Sequence, residues 1–174
     1  ESVQHLPLIS KDSIHVSGCP IRIPQNQKSE RRNLCKQMGL DPELKVILMV
    51  GGSQGSVALN DLIKNGLENM TGGSLSRPEG WQLLWVTGTQ HHTSVDQALS
   101  EMGSPGRVRV VPYIEDMPSV LSIADLAIRR AGAMTTAELM AWGVPSILIP
   151  LPTSAANHQG MNAQFLQDSG AAIH

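Results

Sequence analysis

The sequence is short of cysteine, of charge imbalance and of long apolar runs, and each shortage removes a class of protein. Two cysteines, Cys19 and Cys35, in 174 residues cannot staple a small secreted scaffold. Their surroundings do not resemble a metal or redox pair, so a reducing compartment is the default. Lys and Arg number 13 against 15 Asp and Glu, giving a net charge of -2 and a pI near 6.3, which argues against a generic nucleic-acid binder. The longest apolar runs, 46–50 and 146–151, fall far below the ~20 residues that span a bilayer, and no signal-peptide pattern opens the chain. A soluble protein is therefore expected. Neither a His-Glu-x-x-His pair, a cysteine cluster nor an acidic metal box occurs, so no metal is implied. A Gly-x-Ser-x-Gly elbow is missing too, which leaves nucleophilic hydrolysis without support.

What remains is a chain with 41% hydrophobic and 16% charged residues, enough to build a core and too apolar for the disordered class. Short β-branched or apolar runs alternate with longer segments of helical period, the signature of βαβ units and a parallel sheet. The runs predict strands at 45–50, 82–87, 108–112, 125–129 and 146–150, with 14–16 as a further edge. Between them, Leu59, Leu62, Ile63, Gly66, Leu67 and Met70 recur at helical spacing and predict a helix after the first strand. Val95, Leu99 and Met102 mark a second helix, and 117–124, 137–142 and 162–166 mark three more. Gly143 and Pro145 stop the fourth helix and Gly170 the last, while 70–80, rich in Gly and Ser, is the most flexible insertion. The fold class is α/β, a Rossmann-like doubly wound parallel sheet. Because the chain begins at Glu1 and ends at His174 just as a new apolar stretch opens, a piece of a longer protein is expected.

In such a sheet ligands bind outside the carboxyl ends of the strands, so the loops there are where chemistry is expected. After the first strand come Gly51, Gly52, Ser53, Gln54, Gly55 and Ser56, then a helix. Glycines let main-chain amides approach an oxyanion, and the helix start adds free N–H donors and the positive end of a dipole. The implied ligand carries phosphate, although a tight turn without a ligand fits this loop equally well. The spacing is neither the dinucleotide fingerprint nor a P-loop. A second glycine turn follows the fourth strand, where Arg129 and Arg130 lead through Ala131, Gly132, Ala133, Met134, Thr135 and Thr136 to Glu138. Two helix starts in neighbouring loops could share one diphosphate. Glu138 lies three residues after Thr135, the spacing of a capping box, which is the reading the residues favour over a carboxylate that accepts hydrogen bonds from a ribose diol. The fifth strand leads to Asn157, His158 and Gln159, neutral groups suited to sugar hydroxyls; alternatively Asn157 caps the next helix and the other two form its solvated first turn. His91 and His92, at another helix start, read as surface.

Taken together these loops resemble the MurG family of UDP-N-acetylglucosamine transferases of peptidoglycan synthesis. Residues 50–56 with Leu59 and Asn60 resemble its Gly-Gly-Ser-Gln-Gly motif, 113–117 its strand-end motif, 130–138 its Arg-Ser-Gly-Ala-x-Thr-x-x-Glu motif, and 157–159 with Asn162 and Ala163 its sugar loop. Residues 17–22 resemble the Thr-Gly-Asn-Pro-Val-Arg segment that leads in. The resemblance covers 17–172 and implies the C-terminal, donor-binding half of a GT-B glycosyltransferase, with 1–26 leading in from a missing N-terminal domain and 27–174 forming the donor domain.

By that resemblance Ser53 and the amides around Gly52 and Gln54 hold the diphosphate with Arg22 nearby, and the main chain at Ile114 reads uracil. Glu138 takes the ribose hydroxyls, Ala133, Met134 and Thr135 meet the phosphates and sugar rim, and His158 and Gln159 meet the N-acetylglucosamine. No catalytic residue is expected in this chain, since the base and the lipid-diphosphate loops belong in that family to the N-terminal domain. Partners are then UDP-N-acetylglucosamine, the N-terminal acceptor domain and, through it, lipid I; no cofactor, metal or nucleic acid is implied. The whole protein is expected on the cytoplasmic face of the inner membrane, with a plastid as the other home. A separate donor-binding subunit and half of a UDP-N-acetylglucosamine 2-epimerase are the alternative readings. Two positions depart from the pattern: Cys19 stands for the usual Asn and Ala131 for the usual Ser.

Overall fold

The computed structural model describes residues 18–22, 30–51, 55–71, 79–103 and 107–174. The first run of the sheet, β1 (Lys45–Val50), sends Val46, Leu48 and Val50 to one face and Met49 to the other, the two-residue alternation of an extended chain. Both faces are covered, which is why the strand reads as a continuous apolar run. The same logic shapes β2 (Trp81–Val86), β3 (Val108–Val111), β4 (Leu126–Arg129), β5 (Ser146–Leu148) and β6 (Ala172–Ile173). All pair in parallel, in the order β3-β2-β1-β4-β5-β6. Lys45 to Val50 run beside Trp81 to Val86, and Ile47 to Val50 beside Leu126 to Arg129. Crossovers lead outward in opposite directions from the β1 and β4 pair, leaving a crevice between their carboxyl ends, the switch point of a doubly wound sheet.

The helices divide between the two faces. Leu59, Ile63 and Leu67 of α2 (Val57–Thr71) and Val95 and Leu99 of α3 (His92–Glu101) pack on Met49 and Trp85. On the other face, α1 (Arg31–Gln37), α4 (Met117–Ile123), α5 (Ala133–Trp142) and α6 (His158–Asp168) cover Val46, Leu48 and Leu148 with Cys35, Val120, Leu139 and Leu166. Burial pushes the Cys35 thiol above the ordinary range, with Arg31 acting against that push. A buried polar fastener joins α2 to β2: Trp85 Nε1 donates to Asn60 Oδ1 at 3.0 Å, and Asn60 Nδ2 donates to the Thr87 carbonyl at 3.1 Å.

The five expected strands are present, each within two residues of its expected bounds. Beyond them the structure has α1 and the short edge strand β6, neither of which was expected; the edge expected at 14–16 lies outside the described residues. Two helices begin about four residues early, α5 at Ala133 rather than 137 and α6 at His158 rather than 162. Gly143, at φ 62°, ends α5 in the left-handed region that favours glycine. Among the described residues no helix is long and apolar enough to cross a membrane.

Candidate functional site

The loops that leave β1 and β4 meet at the carboxyl edge because their strands are neighbours. Gly51 turns the chain so sharply after β1 that a side chain there would meet the Ser56 N–H at 2.7 Å. Gly55, at φ 81°, passes close under the Thr87 carbonyl and the His91 ring. His91 is thus half-buried against this loop rather than free on the surface. Ser56 sits just before α2, where its Oγ accepts from Leu59 N at 3.4 Å, and it is also the point at which the second loop is tied on.

The tie is Arg130. Its Nη2 donates to Ser56 Oγ at 3.0 Å, while Nη1 donates to the Ile149 and Pro150 carbonyls at 3.0 and 3.1 Å. One planar guanidinium therefore fixes the ends of β1, β4 and β5 relative to one another, which its rigid fork suits better than a lysine would. Burial pushes the Arg130 guanidinium below the ordinary arginine range. Asn162 adds a second stitch, with Nδ2 donating to the Ala131 carbonyl at 2.9 Å. Ala131 itself is fully buried.

From Gly132 the chain enters α5. Gly132 stands at the N-cap with no side chain to offer, and no acidic residue occupies the first turn. The amides of Ala133, Met134 and Thr135 consequently open the helix without a side-chain acceptor, aimed at the crevice with the positive end of the dipole. Such an end attracts an anion by roughly 0.3–1 kcal/mol when exposed. The Thr135–Glu138 capping box does not form, because the helix starts at Ala133 and puts Thr135 inside its first turn. Glu138 instead accepts from Arg129 Nη1 at 2.9 Å.

Around this centre the other expected residues fall in two groups. Ile114 buries its side chain beyond β3, and its main-chain N–H and C=O make no hydrogen bond with the described residues. Gln159 turns back so that its Oε1 accepts from Leu151 N at 2.9 Å, and His158 Nδ1 lies 2.7 Å from the Ala155 carbonyl. Asn157 makes no side-chain cap; it and Ala156 hold φ values of 53° and 47°, two successive non-glycine residues in the left-handed region. That backbone, rather than a cap, shapes the start of α6. Arg22 is exposed and bonded to none of the described residues, so the structure does not join it to the loops. Gly52, Ser53 and Gln54 lie outside the described residues. Among the described residues no cluster of His, Cys, Asp and Glu could hold a metal.

Residues 46–174 match the model of the glycosyltransferase family 28 C-terminal domain. The chain belongs to that family. A relative from Halalkalibacterium halodurans, named UDP-N-acetylglucosamine–N-acetylmuramyl-(pentapeptide) pyrophosphoryl-undecaprenol N-acetylglucosamine transferase, is 38% identical over 94% of this chain and 43% of its own length. The protein of the same name from Carboxydothermus hydrogenoformans is 38% identical over 92% of this chain and 42% of its own. The crystal structure of Acinetobacter baumannii MurG superposes with a TM-score of 0.66 at 31% identity, covering 89% of this chain and 43% of that one. The fold is thus the Rossmann-like half of a GT-B glycosyltransferase. This chain spans less than half the length of these relatives.

Arg129 and Arg130, which the sequence reading named without giving either a role, fasten the ends of these strands to α5 and to Ser56. The signal was a pair of arginines at the carboxyl end of an otherwise apolar, doubly covered strand, where charge is costly and needs a partner.

Proposed function

We propose that this chain binds UDP-N-acetylglucosamine as the donor half of an inverting glycosyltransferase that adds N-acetylglucosamine to lipid I, making lipid II for peptidoglycan. The observation that carries this reading is the meeting of two glycine loops at the β1 and β4 crevice, fastened by Arg130 on Ser56. In this reading the diphosphate lies on the α5 amides of Ala133, Met134 and Thr135 and on Ser53 with the Gly52 and Gln54 amides, and Arg22 approaches from the leading segment. Uracil is read by the free main chain of Ile114, the ribose by Glu138, and the sugar by His158 and Gln159.

As the glycosidic bond breaks, charge grows on the departing UDP. Oriented amides stabilise that charge without having to reorganise, and a single well-placed donor of this kind is worth roughly 3–4 kcal/mol in other enzymes. Neutral donors also explain how a chain of net charge -2 holds an anion. The acceptor, its deprotonating base and any contact with the cytoplasmic face of the membrane belong to the part of the relatives that this chain does not span.

Calorimetric titration tests the first half of the reading: UDP and UDP-N-acetylglucosamine should each bind at one site per chain. Lipid I supplied with the donor should give little or no lipid II. Failure to bind either nucleotide would overturn the donor assignment, and sustained transfer by this chain alone would overturn the division of labour.

A further inference from the structure

Arg129 occupies an awkward position for a cation. It ends β4 in the middle of the sheet, in register between Val50 of β1 and Leu148 of β5, and its side chain is 9% exposed. The one hydrogen-bond partner of that side chain among the described residues is Glu138 Oε2. A pair of apolar side chains would fill such a place at lower cost, since desolvating two charges offsets most of their attraction. Burial does push the guanidinium below the ordinary arginine range, and Glu138 holds it up. Fastening β4 to α5 is therefore a poor reason for this residue.

The geometry offers a better one. Arg129 takes Glu138 through Nη1 on a single oxygen, and Oε1 has no partner among the described residues although the Glu138 side chain is 24% exposed. Glu138 stands one helical turn behind the amides that open α5. A bare carboxylate there would repel an anion seated on those amides, since unlike bulk water a half-buried site screens poorly.

We propose that Arg129 is a positioning residue: it locks the Glu138 carboxylate in one rotamer, leaves Oε1 to accept from a sugar diol, and cancels the charge that would otherwise drive a neighbouring diphosphate away. This rests on the donor reading of the site. Selectivity for a ribonucleotide over its 2′-deoxy form is then a property of the pair, not of Glu138 alone.

The test is calorimetric titration of the 174-residue chain with UDP and with 2′-deoxy-UDP, for the unaltered chain, Arg129→Met and the pair Arg129→Met with Glu138→Gln. The unaltered chain should prefer UDP by roughly tenfold or more, the discrimination expected when a buried acceptor loses its hydroxyl donor. Arg129→Met should bring that ratio to about one and also weaken 2′-deoxy-UDP by several-fold, because the carboxylate is left uncompensated. The double variant should restore 2′-deoxy-UDP binding, which a merely structural role would not do. An unchanged ratio in Arg129→Met, or no restoration in the double variant, would overturn the inference and leave the donor reading standing. Equal binding of both nucleotides by the unaltered chain would overturn it too, whereas binding of neither would overturn the donor reading beneath it. Crystals of the unaltered chain with UDP decide the matter without variants: the inference requires Glu138 to stay on Arg129 while Oε1 meets the ribose, and a ribose bound elsewhere contradicts it.

Discussion

At the amino edge of the sheet, Asp125 accepts from Arg31 Nη2 and from the Val46 amide, both at 2.8 Å, while Arg31 also donates to the Ile123 and Leu44 carbonyls. Gln82 likewise exchanges hydrogen bonds with the Asp41 main chain in both directions, at 2.9 and 2.6 Å. These groups use up one another's donors and acceptors. The carboxyl edge uses similar residue types, with Glu and Asn beside Arg and Gln, but they fasten loops while the α5 amides and the Ile114 main chain make no hydrogen bond with a side chain of the described residues. Similar chemistry thus closes the fold at one edge and prepares a site at the other. The difference lies in the register: the switch point separates β1 from β4 helices only at the carboxyl end.

Two substitutions would break this contrast if it is wrong. Asp125→Ala removes the acceptor for a guanidinium and a strand amide, and should lower unfolding stability by roughly 2–3 kcal/mol in urea titrations. Nucleotide affinity per folded molecule should not change; a loss of affinity would mean that the amino edge is part of the site. A smaller stability effect, on the order of 1 kcal/mol, is expected for Arg130→Met, which leaves two carbonyls short of a donor. Its affinity for UDP should nevertheless fall about tenfold, or ~1.4 kcal/mol, because the two glycine loops lose their shared anchor. Undiminished affinity in folded Arg130→Met would show that the loops hold their places without the tie.

Much of the sheet could be read from residues in order, because β1 to β5 are apolar runs separated by segments with a 3.6-residue stripe. The elements that escaped were those whose stability is non-local. Helix α1 has only Leu34, Cys35 and Met38 to bury, and it is held by Arg31 reaching Asp125 far along the chain. Strand β6 is two residues that exist because β5 offers an edge. The start of α5 was misplaced for a local reason: Thr135 and Glu138 mimic a capping box, while the true cap is a glycine, which announces itself weakly. The glycine loops pointed to an anionic ligand by their glycines and helix starts, while a turn without a ligand fitted the first of them equally well. That Glu138 is held by Arg129, and Ser56 by Arg130, could not be read, because those contacts depend on which way strand-end side chains turn once neighbouring strands are in place.

Amide-resolved NMR during a UDP titration shows whether the open amides at the carboxyl edge seat the anion. The Ala133, Met134, Thr135 and Ile114 amide signals should shift together and saturably, with those of Leu44, Val46 and Gln82 unmoved. Saturable shifts centred on the amino edge, or none at the start of α5, would place the anion elsewhere and overturn the donor reading.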